Sequence, residues 1–380
     1  MRRRDFVRAG LTLTAAGLAA PNTLEATSRG PLITRRRRYP PPDGIIKLSS
    51  NENPLGLCPA ARVAVIDGIE EANRYPGELR HELTEALAAK HAVNPENIVL
   101  GAGSTEVLQM LVQATAAPNA MIVLAEPTYE DVPHYAERFG FWLTPTPLTE
   151  SFAHDIERMR DRARTAVGPV LVFLCNPNNP TGTLTSSALI DEWLGEAPEH
   201  VRFIVDEAYF EFATGPDYRT SVGWIRRNPN VVVTRTFSKI YGMAGLRLGY
   251  GIAHEAAARQ LRDYASSNNA NHLALVAALA SLRDGDFVDQ GLSANARGRA
   301  ILDEVLGELE LPYLPSHTNF VMHRINGDLR SYRERMLEAG IRVGRPFPPM
   351  LDYNRISIGL PEEMSRFAET LRGFRQKGWV

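Results

Sequence analysis

Between about residues 95 and 255, short apolar runs recur, each followed by a polar cluster and then by a stretch of helical pattern. "NIVLGAGS" reads as a strand with a glycine turn, and "STEVLQMLVQATA" reads as the helix that follows. "AMIVLAEPTY", "PVLVFLCNPNNPTG", "VRFIVDEAYF" and "NVVVTRTFSK" repeat the passage from strand to loop. This alternation predicts an α/β fold with a mostly parallel sheet. In such sheets ligands bind beyond the carboxyl ends of the strands. Every polar cluster just quoted falls at such an end. From about residue 270 the pattern changes to "HLALVAALASLRD", "ARGRAILDEVLGELE", "NFVMHRI", "RSYRERMLEAG" and "RISIGL". These read as helices interleaved with a few strands, a smaller α+β domain. The expected division is a large domain over 51–265, a small C-terminal domain over 266–380, and an arm over 27–50 that packs on the small domain or on a partner.

A chain of 380 residues is long enough for two such domains. Its formal net charge of −2 gives no bulk basicity pointing to nucleic acid. Cys58 and Cys175 are too few for a disulfide framework or a metal-ligand cluster. Both read as small buried residues, and no metal is expected. Lysine is scarce: Lys47, Lys90, Lys239 and Lys377 are the full set. Only Lys239 sits where a β-branched strand breaks into a loop of small residues, with Gly242, Ala244, Gly245 and Gly249 downstream. Desolvation at that junction favours the neutral amine, and a neutral amine is a nucleophile.

The other strand ends supply complementary groups. Asp206 closes "RFIVD" and offers a buried carboxylate that holds a ring nitrogen protonated. Tyr209 offers a hydroxyl and Asn179 an amide donor. The turn at Gly103 and Ser104 opens a helix, whose free N–H groups and dipole suit a phosphate. Ser238 adds a hydroxyl beside the lysine, and Arg247 a fixed cation for phosphate oxygens. Tyr129 offers a flat face for stacking. A ligand that uses all of these carries an aldehyde, a pyridine nitrogen, a ring hydroxyl and a phosphate. That describes pyridoxal 5'-phosphate, for which a lysine imine with an acid on the ring nitrogen is the recurring protein signature.

"NENPLG", "RYPG", "LGAGSTEVL", "EPTY", "CNPNNPTG", "VDEAYFEF", "TRTFSKIYGMAGLRLGY", "PSHTNFVM" and "RISIGLPEEM" resemble, in order, the fold-type I pyridoxal-phosphate aminotransferases. The resemblance runs from about residue 45 to the C-terminus and is nearest to the histidinol-phosphate aminotransferase branch. It implies a large domain with a mostly parallel sheet, a smaller α+β domain, and an amino group moved between an amino donor and a 2-oxo acid, with glutamate as one partner. By this resemblance Lys239 is the lysine that binds the cofactor and then serves as general base, and Asp206 is the partner of the ring nitrogen. Asn179 and Tyr209 hold the ring hydroxyl. Gly103, Ser104, Ser238 and Arg247 cup the phosphate, and Tyr129 stacks on the ring. Tyr75 reaches the phosphate held by a partner subunit, which implies a homodimer with shared active sites. Arg355 grips the substrate's carboxylate, and Asn51 and Asn319 belong to the substrate pocket. Arg345 lies in a proline-rich loop, "VGRPFPPMLDYN", where substrate side chains are sorted.

Three other readings share most of these motifs. They are a decarboxylase of a phosphorylated amino acid, a β-elimination lyase, and a non-catalytic cofactor-binding protein. At the N-terminus, "MRRRDFVRAGLTLTAAGLAAP" joins a basic start to a modest apolar run that is too short for a membrane span. It fits a signal peptide. Arg3 and Arg4, followed by Asp5, Phe6, Val7 and Arg8, resemble the twin-arginine signal. That implies export of the folded chain by the twin-arginine translocase to the periplasm, with a cytoplasmic location as the alternative. Residues 1–26 are therefore set apart from the fold.

Overall fold

The structure is a computed structural model and describes residues 44–380. The signal-like segment and residues 27–43 of the arm lie outside the described residues. In chain order the strands are β1 (Ile46–Leu48), β2 (Ile98–Gly101), β3 (Met121–Glu126), β4 (Trp142–Pro147), β5 (Val170–Cys175), β6 (Val201–Asp206), β7 (Val231–Thr236), β8 (Gly249–Ala253), β9 (Phe320–Arg324), β10 (Ile341–Val343) and β11 (Tyr353–Ser357).

Seven of them form the large sheet, in the order β2-β8-β7-β6-β5-β3-β4. All neighbours run parallel except β8, which is antiparallel to both β2 and β7. Strands β5 and β7 are buried at every position, because helices cover both faces and leave neither side to water. The period of two sorts β5 between two cores. Val170, Val172 and Leu174 join the core containing Leu83, Leu87, Trp193 and Leu275. Leu171, Phe173 and Cys175 join the core containing Val107, Leu111 and Leu261. Each such aliphatic or aromatic side chain contributes about 1.5–3 kcal/mol on burial. At the far edge, β4 pairs only with β3 and carries Pro145 and Pro147, which an edge strand tolerates.

A separate core lies in the C-terminal part. There β1 pairs parallel with β10, and β9 pairs antiparallel with β11. Leu302, Val321, Ile356, Phe367 and Leu371 fill this core, together with Ile46 and Leu48 from the N-terminal side. Helix His272–Arg283 contributes Ala274, Leu275 and Ala278 to the large-sheet core instead. The next helix, Gly285–Glu308, passes from one core to the other, with Phe287 in the first and Leu302, Val305 and Leu306 in the second. Both cysteines are free and buried. The large sheet thus presents the ends of β2, β5, β6 and β7 in one row.

Candidate active site

Strand β2 ends at Gly101, and Gly103 turns the chain with φ +79 into helix Ser104–Thr115. Strand β5 runs into the Asn176–Gly182 loop, β6 ends on Asp206, and β7 runs through Thr236 to Ser238 and Lys239. Their side chains surround a cavity of about 280 Å³ lined by Ser104, Tyr129, Asn179, Asp206, Tyr209, Ser238, Lys239 and Arg247, with Ser50, Glu52, Thr105, Cys175, Ala208, Thr236 and Ala244. Eight of the residues expected from sequence therefore face one space.

Asp206 is buried and accepts from Thr234 Oγ1 at 2.8 Å, across the β6–β7 register. Burial pushes its carboxyl up to about 6, against the Thr234 hydrogen bond and the charge of Lys239. Burial also pulls Lys239 down to about 8, helped by the nearby positive charge of Arg355. Lys239 Nζ lies 5.5 Å from the centre of the Tyr209 ring. Tyr209 accepts from Asn51 Nδ2 at 2.9 Å, which leaves its own O–H free to donate into the cavity. Burial raises the Tyr209 hydroxyl far above its ordinary range, so it stays protonated.

Asn51 is held from three directions. Its N–H donates to Ser357 Oγ at 2.8 Å, its Oδ1 accepts from the same hydroxyl at 3.0 Å, and its carbonyl accepts from Asn319 Nδ2 at 3.0 Å. Asn319 thus acts on the backbone of the 51–52 segment and stands outside the cavity lining. Arg355 is buried; its Nη1 donates to Asn179 Oδ1 at 2.7 Å and its Nη2 to Ser49 O at 2.9 Å. Its Nε has no partner. Arg345 is half-exposed and pairs with Glu130. Tyr75 is 85% exposed and does not reach this cavity within the chain.

The helix start is shaped to receive a phosphate. A Cβ on Gly103 would sit 2.5 Å from Arg247 Nη2, and one on Gly249 would sit 2.1 Å from Ser104 N. The two glycines let the guanidinium and strand β8 close on the first turn of the helix. Ser238 is fixed by Thr236 Oγ1, which donates to its Oγ at 2.9 Å. The donor set is therefore an anion cup of backbone N–H groups, hydroxyls and one cation, with a carboxylate, an amine and a phenol within the same cavity. These residues fit pyridoxal phosphate in every functional group.

Sequence reasoning did not find Thr234, Thr236 or Asp131, whose carboxylate accepts from the Tyr129 hydroxyl. It also missed the Arg235–Glu207 pair, buried behind the strand ends and bonded to Thr220 and Ser221. Thr234 and Thr236 alternate with Arg235 along β7, so a period-two reading of that strand separates the cavity side from the ion-pair side.

A family model described as "Aminotransferase class I and II" matches residues 43–371. The histidinol-phosphate aminotransferase of Moorella thermoacetica is 38% identical over 333 residues, 86% of this chain and 85% of that protein. A solved structure from Erwinia carotovora atroseptica superposes with a TM-score of 0.87 at 40% identity, covering 89% of this chain and 98% of the other. The histidinol-phosphate aminotransferase of Sinorhizobium meliloti, solved in complex with pyridoxal-5'-phosphate, gives 0.80 at 26% identity, with 87% and 91% covered.

Proposed function

This chain belongs to the class I and II aminotransferases, and we propose that its amino donor is an amino-alcohol phosphate of the histidinol-phosphate kind, with 2-oxoglutarate and glutamate as the other pair. It is a pyridoxal-phosphate-dependent aminotransferase of fold type I. When bound, the cofactor supplies an electrophilic aldehyde and a protonated ring that takes up the electron pair left by the substrate's α-proton.

The chain's own residues do the rest in this reading. Lys239 would hold the cofactor through its neutral amine and, once released, would serve as general base for the substrate's α-proton. Asp206 holds the proton on the ring nitrogen. Tyr209 would donate its O–H toward the ring oxygen, and Asn179 has its Nδ2 left for the same task, since its Oδ1 accepts from Arg355. Gly103, Ser104, Ser238 and Arg247 would cup the phosphate, and Tyr129, its hydroxyl tied to Asp131, would stack on the ring.

The observation that carries the substrate class is Arg355. Its guanidinium is buried, oriented by Asn179 and Ser49, and left with an unpartnered Nε, and its charge is felt at Lys239. A buried charge with an unmet donor calls for an anion. The phosphate or carboxylate of the substrate would fill that place, with Asn319 holding the backbone of Asn51 and Asn51 in turn orienting Tyr209. Arg355→Gln is expected to raise KM for histidinol phosphate about tenfold to a hundredfold, the worth of a charge-assisted hydrogen bond. An unchanged KM in the coupled glutamate assay would remove the anion-binding role.

Homodimers are typical of this family, and in this reading Tyr75 serves the partner's phosphate site. The Arg3–Arg4 segment further supports export by the twin-arginine route to the periplasm. One fractionation tests both. The expected result is a periplasmic dimer by size exclusion; an active monomer found only in the cytoplasm would overturn both proposals.

A further inference from the structure

Beside the cavity stands an ion pair with no part in the chemistry above. Arg345, in the loop after β10, donates through Nη1 to Glu130 Oε1 at 2.8 Å, and its Nη2 lies 2.6 Å from Glu130 Oε2. Glu130 directly follows Tyr129, whose ring lines the cavity. Arg345 and Arg355 both stack on Phe347, with guanidinium carbons 4.2 and 4.6 Å from the ring centre. The two cations thus share one ring and lie within about 9 Å of each other, close enough for a short diacid to bridge.

They differ in what holds them. Arg355 is buried and has only neutral oxygen partners, Asn179 Oδ1 and Ser49 O. Arg345 is neutralised by a carboxylate, and both members of that pair are partly exposed, at 49% and 36%. An ion pair wetted to that degree is weak and readily exchanged. With the pair closed, Arg355 is the one of these two guanidiniums without a carboxylate partner. With Glu130 swung to solvent, Arg345 becomes a second.

We propose that Glu130 is an internal competitor for Arg345, and that it sets how the enzyme accepts two substrates of different charge. This rests on the aminotransferase reading above. A donor with one anionic group takes Arg355 and leaves the Glu130–Arg345 pair closed. A dicarboxylate partner takes Arg355 with its α-carboxylate, and its distal carboxylate displaces Glu130 from Arg345. One carboxylate replaces another on Arg345, and the displaced Glu130, already partly exposed, is taken up by water. Glu130 is in this sense a specificity-determining residue, and it keeps Arg345 from holding every passing anion.

The test uses the holoenzyme and two variants. In Glu130→Gln, the ratio of kcat/KM for glutamate to that for a donor with one anionic group is expected to rise about threefold to tenfold, tenfold being about 1.4 kcal/mol. In Arg345→Gln the same ratio is expected to fall by about tenfold, and adding Glu130→Gln to that background should change nothing further. Calorimetric titration with glutarate reads the competition without turnover. Its affinity should rise in Glu130→Gln by the same factor, and that of propionate should move less. An unchanged or lower ratio in Glu130→Gln, or equal losses for both substrates, overturns the proposal. So does full additivity in the double variant. Failure of the wild-type enzyme to transaminate any pair would instead sink the functional reading, and the glutarate titration would still report on the pair.

Discussion

Burial moves Lys239 and Asp206 in opposite directions, each toward its neutral form. The amine comes down from 10.5 to about 8 and the carboxyl goes up from 3.8 to about 6. For Lys239 the sign is plain: below about pH 8 the amine is protonated and cannot attack, and above it the amine is free. The rate at which the cofactor-free chain captures pyridoxal phosphate is therefore expected to climb with pH, with its midpoint near 8. Stopped-flow absorbance across a pH series measures this. A midpoint near 10.5, the ordinary lysine value, would show that the site does not desolvate the amine. Asp206 gains a partner only when a protonated ring nitrogen faces it; the Thr234 hydrogen bond orients its carboxylate meanwhile.

At the scale of elements, the phosphate cup depends on two pieces of backbone meeting without side chains between them. Strand β8 passes the start of helix Ser104–Thr115 so closely that a Cβ on Gly249 would lie 2.1 Å from Ser104 N. Gly249→Ala must push the helix start away from the strand. The affinity for pyridoxal phosphate, read by absorbance titration, is expected to fall by about tenfold or more. Wild-type affinity would mean that the helix start does not bind the phosphate. Five of the seven strands of the large sheet were legible in the sequence as apolar runs with polar ends. Two were not. Strand β8 contains Gly249 and Gly251, and Gly251 is needed because Val107 Cγ1 would lie 2.8 Å from its Cβ. Crowding against a helix thus outweighs strand propensity there. Strand β4 reads "WLTPTP" and is a sheet edge, where prolines are allowed and burial is incomplete. The contacts of Thr234 with Asp206 and of Asn51 with Tyr209 depend on strand register and on a separation of 158 residues along the chain, neither of which a local pattern records.

At the scale of the whole molecule, the site is shared between two cores. The large sheet brings Asn179, Asp206, Ser238 and Lys239, and β11 of the smaller core brings Arg355. Hydrogen bonds stitch the two together: Ser49 accepts from Arg355, Asn51 bonds to Tyr209 and Ser357, and Asn319 donates to the Asn51 carbonyl. In the proposed function the large sheet would hold the cofactor and the neighbouring core the substrate anion. All of this presumes that the cofactor is tethered to a single amine. Borohydride reduction of the holoenzyme followed by peptide mass mapping measures that directly. The pyridoxyl mass is expected on Lys239 alone, and a Lys239→Ala variant should still bind the cofactor but carry no label and no turnover. Label on Lys47, Lys90 or Lys377, or normal turnover by Lys239→Ala, would contradict it.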